Sequence, residues 1–174
     1  MLKLLPLLML SSTLALAEPR TLDWLDLLPD DDLQALLDMP EIEHDWAEEA
    51  PGTFEQSLRQ SDANLPAVMY STRVIAELDG QQVRIAGFPV PLQQDGNGRY
   101  TSFFLVPYAG ACIHVPPPPP NQIVLVDYPQ GLAIDSLYDA FWVSGQLHTE
   151  QSSNELADAS YRLTAQRVWL YDGD

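Results

Sequence analysis

Thr72–Tyr108 reads TRVIAELDGQQVRIAGFPVPLQQDGNGRYTSFFLVPY, and the spacing of its apolar residues decides the fold. Val74, Ala76 and Leu78 alternate, as do Val83 and Ile85, the period of two that places successive side chains on opposite faces of a strand. Asp79-Gly80 is a two-residue hairpin signal, QQDGNG is an equally plain turn, and RYTSFFLVPY reads as a third strand. Gly87 marks a bulge or bend. Pro89 and Pro91 mark an edge, because proline brings no donor to a ladder.

Downstream, IVLVDY (123–128) is a continuous apolar run that fits a strand buried on both faces. LAIDSLYDA (132–140) is ambiguous between a short helix and a loop. FWVSGQLHT (141–149) and YRLTAQRVWLY (161–171) are further strands, the last with a parity switch between Ala165 and Val168 that suits a bulge. Five or six short strands with bends predict a mainly β fold: a small, OB-like, partly open antiparallel barrel, with a β-sandwich as the alternative.

Upstream of the strands, MLKLLPLLMLSSTLALA carries one positive charge, a leucine-rich core and small residues at Ala15 and Ala17, the pattern of a secretory signal peptide over residues 1–17. The mature chain is therefore expected to be exported, with no span long enough to cross a membrane. Residues 18–65 form an acidic extension and 66–174 the β domain. Glu18–Glu55 holds 13 of the 25 acidic residues. Within it, a short helix is expected from about Asp30 to Asp38, with Leu33, Leu36 and Leu37 on one face and Asp30–Asp32 complementing the N-terminal dipole; Pro40 stops it. Leu22, Trp24, Leu25, Leu27 and Leu28 are too apolar to remain in water together, so this arm is expected to dock on the domain.

The chain has a net charge of −17, and its only lysine, Lys3, falls in the signal peptide. Nucleic acid is a poor partner for such a surface, since phosphate binding needs clustered Lys or Arg. Metal cations or basic surfaces suit it better, and the acidic surface also keeps the protein soluble.

Chemistry concentrates in FFLVPYAGACIHVPPPPPNQIV, Phe103–Val124. It holds the chain's only cysteine, Cys112, with His114 two residues on, so both side chains can converge from about 6.6 Å of strand. A lone cysteine in an oxidising compartment is an inert buried thiol, an intermolecular disulfide, a metal ligand or a nucleophile. Thiolate and imidazole are both good zinc ligands, yet two ligands leave a tetrahedral site incomplete. His148 is the best third candidate; Asp127 and His44, the latter with Glu48 four residues on, are weaker ones. Pro116, Pro117, Pro118, Pro119 and Pro120 form a polyproline II rod on the order of 15 Å. With Tyr108 and Asn121 it is either a partner's recognition surface or an internal strap over Tyr108, Tyr128 or Trp142. No Ser-His-Asp set, phosphate loop or dinucleotide-binding glycine pattern occurs. The cysteine segment also departs from that of exported L,D-transpeptidases: Ala111 and His114 stand where those enzymes have glycine and arginine. Catalysis is not expected, although thiol chemistry at Cys112 stays open.

The string VPYAGACIHVPPPPPNQ resembles the signature of an exported proteobacterial family known only as a domain of unknown function. Segments like LDWLDLLPDDDL, VRIAGFPVPL and WVSGQL extend the resemblance over most of the chain. Ala109 stands where a larger, often aromatic, residue is expected, which bears on the shape of any pocket there. The resemblance implies an OB-like fold, a periplasmic location, genes often near ABC-type transporters, and a link in some members to zinc starvation. The expectation is thus a non-catalytic periplasmic accessory in zinc or other metal handling beside an ABC-type transporter. The alternative is a metal-independent interaction module using the polyproline segment.

Overall fold

The structure is a computed structural model that describes residues 18–39, 65–111 and 117–173. The signal peptide, His44, Glu48, Cys112, His114 and Pro116 lie outside the described residues.

The chain enters through β1 (Arg20–Leu22), a 3-10 turn (Trp24–Leu27) and α1 (Asp30–Leu37). After two more 3-10 turns (Ala67–Tyr70 and Ala76–Leu78), β2 (Gln82–Gln94) and β3 (Tyr100–Val106) form a hairpin. β4 (Val124–Leu132), β5 (Phe141–His148), the short β6 (Ser152–Ser153) and β7 (Asp158–Ala159), and β8 (Tyr161–Leu170) complete the fold. β2 pairs with β3, β3 with β4, β4 with β8, β8 with β5, and β5 with β2, which closes a barrel in the OB-like strand order. The β4–β8 ladder is parallel and covers Val124–Asp127 only. The ladders among β2, β3, β4, β5 and β8 are otherwise antiparallel.

Long β2 makes closure possible. Gln82–Gly87 pairs with β5 and Phe88–Gln94 with β3, so one strand serves both sides of the barrel. Pro89 and Pro91 fall in the half with a neighbour on one side only, among the described residues, where a missing donor is tolerated. β8 shifts register against β5 between Ala165 and Arg167, the bulge expected there. Opposite it, a Cβ on Gly145 would lie 2.1 Å from the Thr164 carbonyl oxygen, so only glycine fits. The TRVIAEL segment is not a strand. It finds no ladder partner among the described residues, and Val74 and Ile75 instead pack on the barrel core from an irregular stretch that ends in the Ala76–Leu78 turn. LAIDSLYDA begins on Leu132, the last residue of β4, and continues as loop and turn.

The arm is part of the core. β1 pairs in parallel with Val83–Ile85, and Leu22 and Leu27 are buried with Val83, Phe103, Val126 and Leu163 inside the barrel. Trp24 lies against Gly87, where a Cβ would meet the indole at 2.8 Å, and its Nε1 donates to the Ala86 carbonyl at 2.7 Å. The fully buried Tyr161 hydroxyl donates to the Leu27 carbonyl and accepts from the Ile75 amide, both at 2.8 Å. α1 differs from the expectation in one respect. Its buried residue is Asp32, while Leu37 is 64% exposed. Leu33 and Leu36 of the expected face are half-buried, and the deepest contact of the helix is the Asp32 carboxylate.

Because Leu27 is fully buried at the end of the arm's first turn, Leu27→Ala is expected to lower unfolding free energy by about 2–5 kcal/mol. Urea denaturation followed by circular dichroism measures it. A change below about 0.5 kcal/mol, the range of surface substitutions, would show the arm to be a separable appendage.

Candidate functional site

The segment carrying Cys112 and His114 leaves the end of β3 and returns at β4, and the structure shows how both its flanks are held. β3 and β4 have apolar side chains on both faces. Phe103, Leu105, Val124 and Val126 point into the barrel; Phe104, Val106, Ile123 and Leu125 form a second core outside it with Ala111, Ala157 and Ala159. On the upstream flank Ala111 is 1% exposed within that second core, and Tyr108 packs against it. Burial pushes the Tyr108 phenol up to about 12.

The downstream flank is tied by polar groups. Pro118 and Pro119 are buried, Pro119 keeps polyproline-like angles (φ −60, ψ 155), and Pro120 opens a 3-10 turn, Pro120–Gln122. The Pro120 carbonyl accepts from the Ser160 amide at 2.9 Å, and the Asn121 amide donates to the Ser71 carbonyl at 3.2 Å. Gln122 Nε2 donates to the Trp24 carbonyl at 2.6 Å, and Asn121 Nδ2 to Asp32 Oδ2 at 3.0 Å. Asp32 is the hub of this corner. It also accepts from Ser71 Oγ at 2.5 Å and from the Arg73 guanidinium, whose Nε lies 3.1 Å from Oδ1. Burial alone would raise the Asp32 carboxyl, but hydrogen bonds from Arg73, Ser71 and Asn121 and the Arg73 charge outweigh it and hold the group below its ordinary value. Asn121 is fully buried, and its Oδ1 has no hydrogen-bond partner. Pro118, Pro119 and Asn121 are therefore packed inward, and the short stretch they form is called the strap below. That strap does not cover Trp142, which is capped on the far side of the barrel by Arg84, Trp169 and Tyr171.

Between the upstream flank, the bend of β2 and the loop after β4 lies a shallow cleft of about 300 Å3 including its open mouth. Phe88, Val90, Val106, Tyr108, Ala111 and Tyr138 are among its lining residues, and Tyr138 is 66% exposed at its lip.

The other candidate ligands are placed apart from this corner. His148, on β5, has Nδ1 3.8 Å from Asp79 Oδ1, and its cross-strand neighbour is Arg162. Asp127 is engaged by Arg162 Nη1 at 2.7 Å, and Arg162 Nε is 3.1 Å from Glu150. Among the described residues, no group of three or more His, Cys, Asp or Glu is placed to hold a metal ion. No helix among them is long and apolar enough to cross a membrane.

A family model described as "Protein of unknown function (DUF3299)" matches residues 24–170. The chain belongs to the DUF3299 family. A crystal structure of a DUF3299 family protein from Pseudomonas aeruginosa PAO1 is similar at 38% identity and a TM-score of 0.64, over 90% of this chain and 98% of that one. A small single-stranded DNA-binding protein from Streptomyces coelicolor matches 53% of this chain and 95% of its own, at 12% identity and a TM-score of 0.28, too loosely to bear on fold or function. No curated protein matches. The family carries no assigned activity, and the fold expected from the sequence, a small OB-like barrel with one short helix, is the one observed.

The buried-strand pattern made the β3–β4 platform readable in advance; the Asp32 corner was not. Asp32 reads as an ordinary N-terminal helix acid, and its partners Ser71, Arg73 and Asn121 stand 39, 41 and 89 residues away.

Replacing Asp32 by Ala leaves Ser71 Oγ and the Arg73 guanidinium without this acceptor and Asn121 Nδ2 with the Arg73 carbonyl alone, and is expected to cost on the order of 1–3 kcal/mol. The folded carboxyl titrates below the ordinary 3.8. Its contribution is thus fully present above that value and lost as pH falls through the folded value. The stability gap between wild type and Asp32→Asn, measured by denaturation across pH, should be constant near neutrality and close in acid.

Proposed function

We propose that the protein is a non-catalytic periplasmic binding module that works through the segment between Ala111 and Pro117. One observation supports this reading most: both flanks of that segment are anchored in a rigid barrel, Ala111 in the outer core and Pro118–Gln122 in the Asp32 corner. Binding residues are commonly set on loops held by such a scaffold.

Cys112 and His114 are the residue types zinc takes, and a net charge of −17 favours a cation as ligand. Zinc handling beside an ABC-type transporter is the function this combination fits best. Two protein ligands make a half-site, so the remaining positions would be filled by water or by groups of a transporter component at hand-over. His148, beside Asp79 and Arg162, is the weakest of the three candidate ligands, since a guanidinium disfavours a second cation.

A metal-independent interaction module is the second reading, and the cleft favours it. An open, aromatic-walled groove with Tyr138 at its lip suits an apolar side chain of a partner protein.

Calorimetric titration of zinc into the purified protein separates the two. Binding with about micromolar affinity, lost in Cys112→Ser and in His114→Ala but kept in His148→Ala, is expected. Absence of binding, or binding unchanged in the Cys112 and His114 variants, would leave the cleft as the working surface.

A further inference from the structure

The outer faces of β2, β5 and β8 carry a second surface of different chemistry. Strand register aligns Thr21, Arg84, Ser144 and Arg167 in one row across four strands, and Trp142 and Trp169 in the next. Arg84 lies over Trp142, 4.9 Å from the ring centroid, and Arg167 over Trp169 at 4.5 Å. The two indoles stack at 6.3 Å, and Tyr171, 43% exposed, tilts against Trp142 at 5.3 Å.

No carboxylate stands in these two rows, although acids outnumber lysine and arginine 25 to 8 in the chain. Elsewhere Arg73 is held by Asp31 and Asp32, and Arg162 by Asp127 and Glu150. Arg84 and Arg167 make no ion pair among the described residues; Arg84 Nε donates to Thr21 Oγ1 at 2.8 Å. A guanidinium held over an indole keeps N–H donors at its edge available for a carboxylate, and the contact restricts its motion beforehand.

We propose that this face docks an acidic polysaccharide with one carboxylate per disaccharide. The strands that carry Arg84 and Arg167 are separated by β5, hence by two strand spacings, about 10 Å between their backbones, roughly the length of a disaccharide. Each would take one carboxylate. Ser144 between them offers a hydroxyl for the intervening sugar, and the partly exposed Trp169 and Tyr171 offer flat apolar surface to sugar C–H groups.

Charge and geometry set other polyanions aside. An anionic membrane is gripped by about 4–8 clustered cations, and nucleic acid by a basic stripe. Two arginines on an acidic chain supply neither. Screening weakens the repulsion from acids more than about 8 Å away at physiological ionic strength, and the two rows that would contact the polymer hold no carboxylate. The surface is independent of Cys112 and His114 and stands or falls separately from zinc binding.

The test uses the purified protein and a hyaluronan oligosaccharide, followed by tryptophan fluorescence and calorimetry. The expected result is saturable, salt-sensitive binding that weakens about tenfold, one charge-assisted contact, in each of Arg84→Gln and Arg167→Gln. Ser144→Glu, at a partly exposed position, places a carboxylate between the arginines and should abolish binding while melting temperature holds. Absence of binding would overturn the proposal. So would equal binding of a neutral chitin oligosaccharide of the same length, equal or tighter binding of polyglutamate, or unchanged affinity in folded variants.

Discussion

β3 and β4 are apolar on both faces, and a barrel can bury only one of them. Phe103, Leu105, Val124 and Val126 fill the interior; Phe104, Val106 and Leu125 face outward and would meet water if nothing lay over them. Burying each such side chain is worth about 1.5–3 kcal/mol, so the outer face demands a lid of similar area. Ala111 and Tyr108 before the cysteine, and Leu156, Ala157 and Ala159 of the β6–β7 hairpin, provide it. In OB folds this strand face often receives an oligonucleotide or oligosaccharide. Here the chain covers it itself, which moves any ligand chemistry to the rim of the cover or to another side of the barrel.

The cover must be fastened, and the fastening explains the arm. Asn121 and Gln122, which end the proline strap, bond to Asp32 and to the Trp24 carbonyl of the N-terminal arm. That arm is itself threaded into the barrel by Leu22, Leu27 and the Tyr161 hydroxyl. Strap, arm and barrel thus share one corner in which a buried carboxylate satisfies donors from two separate parts of the chain, Ser71 with Arg73 and Asn121. A buried acid is costly unless hydrogen-bonded, and the same need makes the corner specific.

Most of the barrel could be read from residue order. The alternation in β2, the two-sided apolar run Val124–Val126, the paired prolines beside an open ladder and the parity switch after Ala165 each express local geometry, and local geometry is what periodicity reports. TRVIAEL alternates equally well yet forms no strand, because a strand needs a partner and β1, β3 and β5 already occupy the ladders of β2. The parallel β4–β8 ladder and the Asp32 corner depend on contacts across tens of residues that no window reveals. Of the candidate site, the flanks Tyr108, Ala111 and Pro117–Asn121 are placed, with Pro118, Pro119 and Asn121 buried and Pro117 and Pro120 half-buried. Cys112, His114 and Pro116 lie outside the described residues.

The hydrogen bonds of Asn121, Gln122 and Ser160 make the downstream strap part of the folding core. Hydrogen–deuterium exchange of the native protein tests this most directly. Amides of Asn121, Gln122 and Ser160, donors to Ser71, Pro119 and Pro120, should exchange as slowly as those of β3 and β4 and lose protection with them in denaturant. Fast exchange at Asn121, Gln122 and Ser160 while β3 and β4 stay protected would contradict the account. It would make the strap a detachable surface element.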